Sequence, residues 1–177
     1  MAHESSWVNR NRNKTSRKVI EERLLSAYGA RHMIWAPGVK GQDITDYHID
    51  ALARFVRPGV VLIQWPDEII PGDPFSRAAW ETHDILKASP HVNEIIVIPE
   101  PRTSRVTSAD FVASYVNYYI CNGAVICAQF GDRTTDKIAE NMLRELYPDR
   151  EVIMMNVDPI GEVGGGIHCA TQQQPAV

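Results

Sequence analysis

A histidine and a cysteine stand side by side after a glycine run, Gly164-Gly165-Gly166-Ile167-His168-Cys169. Three glycines open backbone angles closed to other residues and let the chain come close to a ligand. A thiol just beyond such a turn can be exposed and held in place, and its thiolate is a nucleophile. The same residue types also suit a flexible turn followed by a buried, inert Cys169. The second chemistry-bearing segment is Asp43-Ile44-Thr45-Asp46-Tyr47-His48-Ile49-Asp50. Read as an extended strand, it sets Asp46, His48 and Asp50 on one face. A histidine beside carboxylates keeps its proton more tightly, which suits a general acid, and the carboxylates can grip a planar cation through paired hydrogen bonds. A polar strand face with ordinary solvated charges is the competing reading.

His48, Asp50, His168 and Cys169 are also the residues a Zn2+ site would have to use. Their spacing matches no short structural zinc pattern and includes no helix-borne histidine pair, so no metal site is expected. No phosphate-cradling glycine loop, Gly-x-Ser-x-Gly elbow or dinucleotide fingerprint is present, and no cofactor is expected. Cys121 and Cys127 flank Asn122-Gly123 and read as core residues; His32, His83 and His91 read as structural or exposed.

Three cysteines are too few and too odd in number for a disulfide framework, which points to a reducing compartment and a cytoplasmic location. Lys and Arg number 18 against 22 Asp and Glu, a formal charge of -4. That balance argues against a nucleic-acid or anionic-membrane binder and leaves room for a cationic ligand. Apolar stretches such as Gly59 to Trp65 are strand-sized, too short to span a bilayer, and the first residues lack the apolar core of a secretory signal. At 177 residues, 44% hydrophobic and 23% charged, the chain has the size and balance of one globular domain or a large piece of one.

The elements that must position these residues follow a repeated order. Residues 1 to 15 are polar, and the run Asn9-Arg10-Asn11-Arg12-Asn13-Lys14 reads as a solvated loop. Helical spacing over 16–28 ends at Gly29, and a short strand follows near 31–36. Tyr47 to Val56 reads as a strand, Arg57-Pro58-Gly59 as a turn, and Val60 to Trp65 as a second strand. A helix is expected from Pro74 to about Ala88 with Asp73 as N-cap, then a strand over 93–99. The order repeats with a strand over Phe111 to Cys121, a hairpin at Asn122-Gly123, a strand over 124–130, a helix from Thr135 to Tyr147 and a strand over 151–157. The two turn glycines, Gly59 and Gly123, lie 64 residues apart. The reading is α/β: a partial unit over 1–40, strand-strand-helix-strand units over 44–100 and 110–157, and a partial unit over 158–177.

Four motifs together resemble the agmatine deiminase family, also called the bacterial-type peptidyl-arginine deiminase family. They are Thr45-Asp46-Tyr47-His48-Ile49-Asp50 running into Ala53-Arg54-Phe55-Val56; Ala113-Ser114-Tyr115-Val116-Asn117-Tyr118-Tyr119; Gln129-Phe130-Gly131-Asp132; and Gly164-Gly165-Gly166-Ile167-His168-Cys169-Ala170-Thr171-Gln172-Gln173-Gln174-Pro175. The resemblance implies a pentein-type α/β propeller, here a partial ring. It implies Cys169 as nucleophile, His48 as general acid/base and Asp50 as the guanidinium-binding carboxylate, with Asp46 and Asn117 as further substrate-side residues. It implies hydrolysis of agmatine to N-carbamoylputrescine and ammonia, a step toward putrescine, with no metal or organic cofactor. Peptide-linked or free arginine stays open as the substrate.

Tyr47 departs from the glycine that many relatives carry there. The family's N-terminal half, with a second guanidinium-binding Asp and a Glu-Gly-Gly motif, has no match, so the chain reads as the C-terminal portion of a family member. The expected partners are a small guanidinium compound and either a homo-oligomeric copy or the missing half. The alternative is a catalytically incomplete fragment or subunit that works by association with a partner chain.

Overall fold

The computed structural model describes residues 1–108 and 110–174. Pro175, the last residue of the closing motif, and the end of the 158–177 segment lie outside the described residues.

The chain opens with β1 (Ala2–His3), α1 (Glu4–Trp7), α2 (Arg17–Tyr28) and β2 (Trp35–Ala36). β1 and β2 pair in parallel, Ala2 opposite Trp35. Ser16 caps α2 by accepting from the Val19 amide at 3.4 Å. The run from Asn9 to Lys14 is a loop in which Arg10, Asn11, Arg12 and Lys14 are exposed, as expected, but the stretch is anchored where it begins. Ala2 and His3 are buried, and Asn9 is only 3% exposed. Asn9 and Arg12 are recruited by a distant turn that needs donors, as described below.

β3 (Ala53–Arg57) and β4 (Val60–Trp65) form an antiparallel hairpin, Arg54 opposite Leu62, and α3 (Pro74–Ala88) carries the chain back to β5 (Glu94–Pro99), parallel to β4. β4 is central, and Val61, Leu62 and Ile63 are fully buried, which explains its continuous apolar run. The Asp73 carboxylate accepts from the Phe75 and Ser76 amides, and Pro74 follows where its missing N–H loses nothing.

The same order recurs in β6 (Tyr119–Cys121), β7 (Ala124–Ala128), α4 (Arg133–Leu146) and β8 (Glu151–Met155). Gly123, at φ +74°, closes the two-residue hairpin. A short α5 (Asp158–Gly161) leads into the glycine run. The units share a core: Leu62 and Ile98 of one unit pack with Tyr115, Tyr118, Val125 and Leu143 of the next. Among the described residues, no helix is long and apolar enough to cross a membrane.

The two strands expected to open the hairpins are much shorter than their sequence patterns. Of 47–56, only the part from Ala53 is extended; Asp46 and Tyr47 turn left-handed at φ +57° and +61°, and Ile49–Ala51 is a single 3-10 turn. The Asp43 carboxylate accepts from the Thr45 and Tyr47 amides, so side-chain bonds replace a ladder here. Of 111–121, only Tyr119–Cys121 is strand. In the stretch before it, the Gln64 side chain donates to the Ala113 carbonyl and accepts from the Tyr115 amide, and Arg54 takes the Val116 and Tyr118 carbonyls. Backbone groups claimed by buried side chains are not available to pair with a strand.

Candidate active site

Cys169 sits in a tight turn held by the Ala170 amide donating to the Gly166 carbonyl (3.1 Å) and the Thr171 hydroxyl donating to the Ile167 carbonyl (2.8 Å). Gly166 lies so close to Asn117 that a Cβ there would come within 2.2 Å of its Oδ1. Only glycine lets this loop lie against the 110–118 segment.

Asp50, on the 3-10 turn before β3, reaches this loop from the other side. His168 Nδ1 donates to Asp50 Oδ2 at 2.6 Å, and the Cys169 thiol donates to the same oxygen at 3.5 Å. Asn117 closes the triangle: its Nδ2 donates to the Asp50 carbonyl at 3.1 Å and to the Cys169 sulfur at 3.4 Å. His48, the residue before the 3-10 turn, lines a cavity of about 230 Å³ together with Asp50 and Cys169. His48 and Asp50 also face a second cavity of about 390 Å³, walled by Met1, Trp7 and Tyr28.

The electrostatics are set by one carboxylate. Burial alone would raise the pKa of Asp50, but the His168 hydrogen bond and charge, the His48 charge and the thiol outweigh it, and the net shift is downward. Burial, then the charge of Asp50, pushes the Cys169 thiol above its ordinary value, against the opposing hydrogen bonds from Asn117 and the Gly166 backbone. At neutral pH the sulfur therefore rests as a thiol. Buried Cys127 is pushed up to about 12, chiefly by desolvation, and is inert packing. All three cysteines are free.

Cys169, His48 and Asp50 are thus brought to one cavity. Asn117, 2% exposed, touches the sulfur from behind. Asp46, expected on the same face as His48 and Asp50, points elsewhere. Its carboxylate accepts from Asn9 Nδ2 and the Gly41 amide, each at 2.7 Å, and pairs with Arg12 at 3.7 Å. The left-handed pair at 46–47 breaks the period-two alternation on which that expectation rested. Among the described residues, no three His, Cys, Asp or Glu side chains converge as metal ligands. Sequence reasoning treated His168 only as a zinc ligand; its pairing with Asp50 spans 118 residues and leaves no local signature.

The repeated strand-strand-helix-strand order, with a cysteine, a histidine and a carboxylate meeting where units join, defines a pentein-type α/β propeller built here as a partial ring. The agmatine deiminase of Enterococcus faecalis superposes with a TM-score of 0.82 over 98% of this chain and 53% of that one, at 23% identity, a likeness of fold. In sequence, the chain is 35% identical to the agmatine deiminase of Medicago truncatula, over 98% of this chain and 53% of that protein. It is equally similar to the agmatine deiminase of Stutzerimonas stutzeri, over 98% and 52%. Residues 1–175 match the Porphyromonas-type peptidyl-arginine deiminase family, and the chain belongs to that family. It spans about half the length of these curated relatives.

Proposed function

We propose that the chain carries the nucleophilic half of an amidine hydrolase that converts agmatine to N-carbamoylputrescine and ammonia, on the route to putrescine, in a reducing cytoplasm. The observation that carries this reading is the convergence of Cys169, His48 and Asp50 on one cavity. Asp50 holds the guanidinium by charge-assisted hydrogen bonds. That cation, seated beside Asp50, offsets the negative charge that keeps the sulfur protonated and so favours the thiolate where it is needed.

The Cys169 thiolate attacks the guanidinium carbon and forms a C–S bond. Protonated His48 gives its proton to the departing nitrogen, and the C–N bond breaks to release ammonia. Neutral His48 then takes a proton from water, whose oxygen attacks the same carbon. The C–S bond breaks, the carbamoyl product leaves and the thiolate is regenerated. No step requires a cofactor.

Agmatine is favoured over free arginine because, among the described residues, the cavity walls carry Asp43, Glu100 and Asp110 and no Lys or Arg to meet a substrate carboxylate. The relatives named agmatine deiminase support the same choice. Because the chain spans half of those relatives, we further propose that full turnover needs the complementary half, joined covalently or as a partner chain.

Mass spectrometry after exposure to a haloacetamidine, a small guanidinium-like electrophile, tests the site. Labelling is expected at Cys169 and not at Cys121 or Cys127, and His48→Ala is expected to abolish it. Equal labelling of all three thiols would overturn the assignment.

A further inference from the structure

Arg54 lies on β3, four residues beyond Asp50, and its guanidinium crosses to the neighbouring unit. There it stacks over the Tyr118 ring at 4.0 Å and donates through one Nη1 to the carbonyls of Val116 and Tyr118. Those two carbonyls flank Asn117. Val116 and Tyr118 are fully buried, so the grip fixes a rigid segment rather than a loose strap. From that segment the Asn117 carboxamide reaches both site loops. Its Nδ2 donates to the Asp50 carbonyl and the Cys169 sulfur, and its Oδ1 accepts from the His168 amide at 2.9 Å. The Asn117 carbonyl takes the same amide at 3.2 Å, and Gly166 packs against the carboxamide.

We propose that Arg54 and Asn117 form a positioning clasp that locks the Asp50 turn to the Cys169 loop and presents a donor to the sulfur, with Arg54 acting only through Asn117. The clasp rests on the reading of Cys169 as the nucleophile but not on turnover. Asn117 sits behind the thiol and works on the enzyme's own sulfur rather than on substrate. An N–H aimed at the sulfur from a buried carboxamide stabilises the thiolate over the thiol. Arg54 suits its place because its planar guanidinium lies over an aromatic ring while one nitrogen serves two carbonyls; a lysine could reach the carbonyls but has no plane to stack.

The test is the pH dependence of Cys169 alkylation by iodoacetamide in the full chain, read peptide by peptide, with thermal melting in parallel. Asn117→Ala is expected to slow alkylation at neutral pH by roughly tenfold, the worth of one hydrogen bond to a charged group, and to move the midpoint to higher pH. Asn117→Asp keeps the shape and the acceptor but replaces the donor with an acid, and is expected to move the midpoint further up. Arg54→Met is expected to reproduce the Asn117→Ala profile, with Arg54→Lys intermediate. The double variant is expected to be no slower than Asn117→Ala, because two residues in one line of action do not add. Folded variants that keep the wild-type profile would overturn the clasp, as would multiplicative effects in the double variant. Loss of folding in both Asn117 variants would assign the residue to stability and overturn it too. A chain that shows the expected profiles yet never turns over agmatine would keep the clasp and sink the proposed substrate.

Discussion

The Asp50 carboxylate touches His168 at 2.6 Å and the Cys169 thiol at 3.5 Å, so one oxygen serves both side chains. In the proposed reaction its charge would bind a guanidinium, and it helps to keep the sulfur protonated. Asp50→Asn separates these effects. Burial would still raise the thiol, but the contribution from the Asp50 charge would vanish. The alkylation midpoint of Cys169 is therefore expected to fall, with faster iodoacetamide labelling at neutral pH. Protection of Cys169 by agmatine is expected to weaken by more than about tenfold, because a partly buried cation loses its counter-charge. An unchanged midpoint would mean that burial alone sets the thiol. At this scale, Cys169 and His48 could be singled out as candidates because each stands in a short, unusual run of residue types. His168 and Arg54 were not, since their partners lie far along the chain and no local pattern encodes them. Asp46 was misplaced for the opposite reason: a local alternation rule was applied where two left-handed residues cancel it.

The turn at 43–48 is held by elements that sequence patterns did not connect to it. Ser5 donates its hydroxyl to the Asp46 carbonyl at 2.6 Å, Asn9 and Arg12 bind the Asp46 carboxylate, and His3 Nδ1 donates to the Tyr47 carbonyl at 2.8 Å. Hairpins, caps and the central apolar strand could be read locally, because Asp73-Pro74 and Asn122-Gly123 carry their geometry in two residues. The docking of β1 onto this turn could not, because it depends on a buried histidine 44 residues away. Tyr47 shows how such a turn is tolerated. Its left-handed backbone costs roughly 1–2 kcal/mol, but its ring stacks on His3 at 4.8 Å and meets Phe75 edge-on at 5.0 Å, and burying an aromatic ring outweighs that strain.

His3 gives this docking a pH dependence. Burial lowers its pKa to about 4, against the Tyr47 hydrogen bond and the Asp50 and Asp43 charges, while the His48 charge adds to the lowering. Between about 4 and 6.5, the unfolded chain binds a proton at this position and the folded chain does not. Stability therefore rises with pH across that window and is lost as pH falls through it, by on the order of 3 kcal/mol. Urea unfolding of His3→Asn is expected to show a shallower dependence than wild type between these limits, whatever its absolute stability. Parallel slopes would mean that His3 is not the group responsible.

At the scale of the molecule, the repeat was legible because matching turns and helix caps mark the strand-strand-helix-strand order twice, and the chain spans about half the length of its relatives. Tyr28 is 78% exposed on the wall of the second cavity, the one that His48 and Asp50 also face. In the proposed reaction, a wall this open admits water to the guanidinium beside His48 and Asp50 and holds the cation from fewer sides. Loss of a counter-charge from a cation site weakens binding by about 2–5 kcal/mol, and solvent on the open side weakens the remaining contacts further. The 177-residue chain alone is accordingly expected to release ammonia from agmatine at least tenfold more slowly than the full-length Medicago truncatula relative at subsaturating substrate. Co-expression with the N-terminal half of that relative is expected to raise both the rate and the melting temperature, because a partner that binds only the folded chain stabilises it. Ammonia release by the isolated chain at the relative's rate would show that the cavity around Cys169 is catalytically sufficient as it stands.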